Sequence, residues 1–162
     1  VLAKAMGGGM PIGAFISSAS IMNTLTHNPE LGHITTFGGH PVCCAAALAN
    51  IKILKDENLI PDAIKKGELF KNELKDFPGI AEIRQIGLML GIDLSSDNHT
   101  VKLMKIMTKN GLLSDRFLFR PQSFRIAPPL SITYSEIEKT IHLIKQCLNE
   151  LKLSHFVFFS LK

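Results

Sequence analysis

Beyond residue 55 the chain alternates charged, amphipathic stretches with short apolar runs, and Gly, Pro or Asn marks each change of period. A chain patterned this way lays helices against a sheet, because the apolar stripe of one and the apolar face of the other need mutual cover. The spacing predicts a helix over 61–77 stopped by Pro78-Gly79, strands over 80–86 and 88–94 about Gly87, and a helix over 100–109 ended by Asn110-Gly111. Strands near Leu112-Leu113 and over 124–126 follow. Thr133, with Glu136 three residues on, forms a capping box for a last helix that keeps Ile137, Ile141, Ile144 and Leu148 on one face.

The first 54 residues read differently. A short apolar piece leads into three successive glycines closed by Pro11 and then a predicted strand over 12–16. Ser20 is the expected cap of a short helix through Leu25, Asn28-Pro29 turns the chain, and a loop over 35–41 precedes an Ala- and Leu-rich helix over 42–57, with Pro41 suited to its first position. That helix is expected to be buried at its start, Cys43 and Cys44 included, and charged at its end. The reading is an α/β chain in three parts: a first unit 1–54, a small α+β domain 55–150, and an apolar tail 151–162. Val1 falls in what reads as the end of a strand with a functional loop directly behind it, so further sequence upstream is expected.

Composition narrows the functional classes. With 162 residues and 46% apolar side chains the chain can bury a core. Its net charge of +4 comes from 18 basic and 14 acidic residues scattered along helices, without the basic stripe that nucleic acid needs. The apolar tail is far shorter than the roughly 20 residues of a membrane span. Three Cys in neither a paired framework nor a CxxC pattern fit a reducing cytoplasm. His27, His33 and His40 lie on no common face and have no carboxylate or Cys cluster beside them, so no metal site is expected.

One segment carries chemistry. In Leu2-Ala3-Lys4-Ala5-Met6-Gly7-Gly8-Gly9-Met10-Pro11 a single Lys stands among apolar residues at the mouth of a glycine loop. An amine held among apolar groups favours its neutral form, the nucleophile that attacks an aldehyde, and glycines let a backbone pass close to a ring. For the pattern alone, a surface Lys beside a flexible turn is the more ordinary reading.

Three segments in order change that balance. LAKAMGGGMPIGAFISS resembles the cofactor-lysine segment of the class-III aminotransferases, a fold-type-I family that includes acetylornithine, ornithine and 4-aminobutyrate aminotransferases. HITTFGGHPVCCAAALA is similar to the family's histidine, hydroxyl-pair and double-glycine pattern before a long helix, and FRIAPPLSIT is similar to its Arg-containing strand. The resemblance extends to about Leu151. It implies that residues 1–54 end a large cofactor-binding domain and that Lys4 holds pyridoxal 5'-phosphate as a Schiff base and then shuttles a proton. It implies further that Thr35 and Thr36 reach the phosphate of the neighbouring subunit's cofactor in a homodimer, and that Arg125 meets a substrate carboxylate. The implied reaction moves an amino group from an N-acetylornithine- or ornithine-like donor to a 2-oxo acid such as 2-oxoglutarate. An aminomutase or racemase of the same fold, or a non-catalytic dimerisation module, are the alternatives.

Ile34, His40 and Gln85 depart from the family pattern, which has a small residue, Asn and Gly there. The family's ring-binding aspartate, stacking aromatic and main phosphate loop precede the cofactor lysine, so the 162-residue chain by itself is expected to be inactive.

Overall fold

The computed structural model describes residues 1–30 and 32–159, and it divides into two compact units, Val1–Asn58 and Leu59–Lys162.

The second unit is a four-stranded antiparallel sheet with helices packed on it. Its elements run α3 (Leu59–Leu74), β1 (Ile80–Ile86), β2 (Met89–Leu94), α4 (Asp97–Lys109), β3 (Asp115–Phe117), β4 (Arg120–Ile126) and α5 (Tyr134–Phe159). The sheet order is β1-β2-β4-β3, and Ile92 faces Ile83 on one side and Phe124 on the other. Period-two alternation sends Leu90, Ile92 and Leu94 of β2 and Phe124 and Ile126 of β4 into the core. There they meet Phe70 and Leu74 of α3, Leu103 and Met107 of α4, and the Ile137, Ile141, Ile144 and Leu148 stripe of α5. Complete burial of one such side chain contributes about 1.5–3 kcal/mol, so these residues dominate the stability of the unit.

The expected capping box forms: Glu136 Oε2 accepts from Thr133 N at 2.8 Å and Thr133 Oγ1 accepts from Glu136 N at 3.2 Å. Glycine is required where α3 crosses the β1–β2 turn. A Cβ on Gly67 would collide with the Gly87 carbonyl oxygen, and Gly87 itself takes a φ of 55°. Gln85 spans the same junction, its Nε2 donating to Gly87 O at 3.2 Å and Ile64 O at 3.4 Å.

Two predicted boundaries in this unit move. Helix α4 starts at Asp97 because Ser96 caps it, accepting from His99 N at 3.3 Å. The strand placed near Leu112-Leu113 lies at Asp115–Phe117, because pairing with β4 begins only at Asp115 opposite Arg125, and Leu113 is left exposed. Helix α5 carries the backbone of the apolar tail through Phe159, and residues 160–162 of that tail lie outside the described residues.

The first unit holds a 3₁₀ turn at Lys4–Gly7, α1 (Ala19–Asn23), a second 3₁₀ turn at Thr24–Thr26 and α2 (Pro41–Asp56). The strand expected over 12–16 is reduced to one bridge, Leu2 to Ala14, with N–H···O distances of 2.7 and 2.8 Å. No neighbouring strand pairs with it among the described residues, so alternation alone does not extend it. Ser18 rather than Ser20 caps α1, accepting from Ile21 N at 3.5 Å. Helix α2 takes Pro41 at its first turn as expected, but only Cys43 and Ala47 of it are buried and Cys44 is exposed. Its Ala-rich start is therefore largely uncovered within this unit. No helix among the described residues is long and apolar enough to cross a membrane.

Candidate active site

Lys4 opens the 3₁₀ turn with a φ of 53°, in the left-handed region that a non-glycine residue enters at a cost. The turn closes through Gly8, whose N–H donates to Ala5 O at 3.1 Å with a φ of 56°. Glycine tolerates that angle where another residue would be strained. Lys4 and its neighbours Ala3 and Ala5 are exposed, so the expectation of an amine enclosed by apolar groups is not met within this chain. Leu2, Ala3 and Ala5 carry short or outward side chains, and a single turn has no second layer to fold over the lysine.

Thr35 and Thr36 lie in an exposed turn before α2, where Gly38 N donates to Thr35 O at 3.3 Å. The turn is tight: a Cβ on Gly38 would lie 2.6 Å from Thr35 Oγ1, and Gly39 takes a φ of 70°. Two hydroxyls beside exposed glycine backbone form a neutral donor set of the kind that binds phosphate oxygens. His40 occupies the N-cap of α2 and makes no side-chain capping bond, so the helix starts on Pro41 geometry alone. Helix α2 thereby connects the two candidate pieces in one unit, with the hydroxyl turn at its start and the lysine turn against its middle.

Arg125 belongs to the other unit. It alternates with buried Phe124 and Ile126 and faces Asp115 across the β3–β4 pair, Nη2 to Oδ2 3.4 Å. Asp115 thus gives the guanidinium a carboxylate partner, and the Arg125 side chain is 42% exposed. Arg125, Asp115 and Ser114 border an open hollow of about 500 Å³ walled also by Ala127, Pro128 and Thr140. A pair this exposed contributes at most about 1 kcal/mol. Among the described residues no group of three His, Cys, Asp or Glu side chains could hold a metal ion.

A family model, aminotransferase class-III, matches residues 1–148. The chain belongs to the class-III aminotransferases. It is 31% identical to the acetylornithine aminotransferase of Elizabethkingia anophelis over 91% of this chain and 38% of that one, with a TM-score of 0.80. It is also 31% identical to the ornithine aminotransferase of Toxoplasma gondii ME49, over 94% of this chain and 37% of that one, with a TM-score of 0.81. A further Toxoplasma ornithine aminotransferase structure, matched over 94% of this chain and 36% of that one with the same identity of 31% and TM-score of 0.81, is described with partial occupancy of PLP at its active site. This class-III aminotransferase chain thus has the fold of the corresponding part of those proteins and spans under two-fifths of their length.

Two polar groupings of this class-III chain escape sequence reasoning. On the outer face of the sheet Asp93, with 4% of its side chain exposed, takes Arg84 Nη2 at 2.6 Å and Arg120 Nη2 at 2.6 Å, and Glu82 joins both arginines. The Arg84 bond, then those from Arg120 and Ser123, hold the Asp93 carboxyl far below the usual carboxylate range against the opposing effect of burial. Its signal was an Asp inside the apolar run over 88–94. The other is Asn50, a polar residue in the middle of the Ala-rich helix α2, whose amide reaches the lysine turn.

Proposed function

We propose that the full protein containing this chain is a pyridoxal-phosphate-dependent transaminase that moves an amino group from an acetylornithine- or ornithine-like donor to a 2-oxo acid. The observation that carries the reading is Lys4, exposed and held in a strained backbone at the head of a glycine turn, within a chain whose family is the class-III aminotransferases. The residues present suit the cofactor. Lys4 offers an accessible amine, and Thr35 and Thr36 offer hydroxyls beside the exposed backbone of Gly38 and Gly39. Bound there, pyridoxal phosphate supplies an aldehyde that amines attack and a ring that spreads the charge left on a deprotonated carbon.

The side chains of this chain would then divide the work. Lys4 Nζ attaches the group to the protein and, when free, takes and returns the substrate's proton as general base and acid. Thr35 and Thr36 donate to phosphate oxygens, in our reading those of a partner subunit's site in a homodimer. Arg125 exchanges Asp115 for the substrate carboxylate, a charge-assisted pair. We assign residues 1–54 to the end of the cofactor domain and 55–150 to a small C-terminal domain, a division that the separate compact units support. Cysteines 43, 44 and 147 are all unpaired, which favours a reducing cytoplasm as the location.

Borohydride reduction of the full-length holoprotein followed by peptide mass analysis tests the assignment. The cofactor mass should appear on the Lys4 peptide, and Lys4→Ala should abolish turnover of ornithine and N-acetylornithine with 2-oxoglutarate. Label on another lysine, or near-normal turnover in the variant, would remove the reading.

A further inference from the structure

We propose that Asn50 is a positioning residue that holds the backbone of the lysine turn and so fixes the approach of the Lys4 amine. This rests on the function proposed for Lys4. Asn50 sits nine residues into α2 from Pro41, partly buried, and its Nδ2 donates to Ala5 O at 2.9 Å and to Met6 O at 3.3 Å. Both partners are carbonyls, which only accept, so the amide nitrogen and not the oxygen must face the turn.

The junction is tight on both sides. A Cβ built on Gly8 would lie 3.1 Å from Asn50 Cβ and 3.4 Å from Ala46 O, so the turn rests directly on the helix. The internal bonds of the turn, Met6 N to Ala3 O at 3.3 Å and Gly8 N to Ala5 O at 3.1 Å, close single rings and leave Met6 O to Asn50. A left-handed lysine persists only where its surroundings over-determine it. Asn50 is the side chain that ties two successive carbonyls after Lys4 to a rigid helix. Removing its donors lets the turn relax toward ordinary backbone angles and swings the Lys4 side chain, without altering the amine itself. The requirement is for donation: Asp has the shape of Asn but would set a carboxylate against two carbonyl oxygens.

The test compares Asn50→Ala, Asn50→Asp and Gly8→Ala in the full-length holoprotein. Hydrogen exchange of the peptide over residues 1–14 should quicken in all three, while exchange in the β-sheet of the second unit stays as in the parent. The kcat should fall roughly tenfold to a hundredfold, the scale of a misplaced reacting group, with KM unchanged. Gly8→Ala matters because it lifts the turn off the helix while leaving the Asn50 amide intact, and it asks the same question should an Asn50 variant fold poorly. Parent-like exchange and kcat in Asn50→Asp would overturn the proposal, since shape alone would then suffice. Parent-like behaviour in both Asn50 variants would overturn it as well. The exchange measurement reads the turn whether or not Lys4 carries the cofactor, so borohydride labelling elsewhere than Lys4 would remove the function above while the clamp was judged separately.

Discussion

Replacing Asp93 by Asn should weaken the sheet of the second unit by about 2–3 kcal/mol. Losing one partner of a buried ion pair costs about 3–5 kcal/mol, because the remaining charge is left without compensation. Here the carboxylate is 4% exposed while the Arg84 and Arg120 side chains are 39% and 48% exposed, so both arginines can rehydrate and the cost falls below that range. The charge effect has a definite pH signature. Asp93 is held below its ordinary value in the folded state, so its stabilisation is complete above the unfolded carboxyl pKa near ~3.9 and is lost as pH falls below that toward the folded value. Asn cannot titrate, so the variant should be weaker than the parent at pH 7 and should lose less on acidification below about pH 4. Urea unfolding of the full-length protein at both pH values, with hydrogen exchange of the β2 amides as the local measure, follows the effect. A variant within about 0.5 kcal/mol of the parent at pH 7, or one with an unchanged acid limb, would refute the claim that the carboxylate is paired and buried as described.

Arg125→Ala should raise KM for carboxylate-bearing donors roughly tenfold to a hundredfold, the worth of one charge-assisted bond, while stability changes by under about 1 kcal/mol because Asp115 is exposed. Unchanged kinetics with lowered stability would make Arg125 structural. Co-expressing a Lys4→Ala protomer with a Thr36→Trp protomer should restore activity that neither homodimer has, since one site of each mixed dimer then keeps both residues intact. No recovery in verified mixed dimers would mean that both residues serve one site from one chain. Gly67→Ala should cost about 1–3 kcal/mol or more in urea unfolding, because its Cβ meets the Gly87 carbonyl rather than a movable side chain, and a neutral result would show that α3 can retreat from the β1–β2 turn.

Local signals in the sequence were enough wherever the deciding interaction is itself local. The Thr133–Glu136 capping box, the Pro41 start of α2, the α5 stripe and the apolar run that becomes β2 each depend on residues within a turn or two of one another, and each stands as the pattern predicts. The family was legible from three segments in order, LAKAMGGGMPIGAFISS, HITTFGGHPVCCAAALA and FRIAPPLSIT, whereas the lysine loop alone did not separate a cofactor lysine from a surface one. Tertiary structure decided the rest, for a common reason: the partners are far apart in the chain. A strand over 12–16 needs a neighbour to pair with, and only Leu2 meets Ala14. Whether Arg125 is starved of water depends on what covers its side of β4, and the side chain is left 42% exposed. Asp93 lies nine residues from Arg84 and 27 from Arg120, and Asn50 lies 45 from Ala5. No window of sequence joins such pairs, because the sheet register and the packing of a helix on a turn bring them together only once the chain has folded.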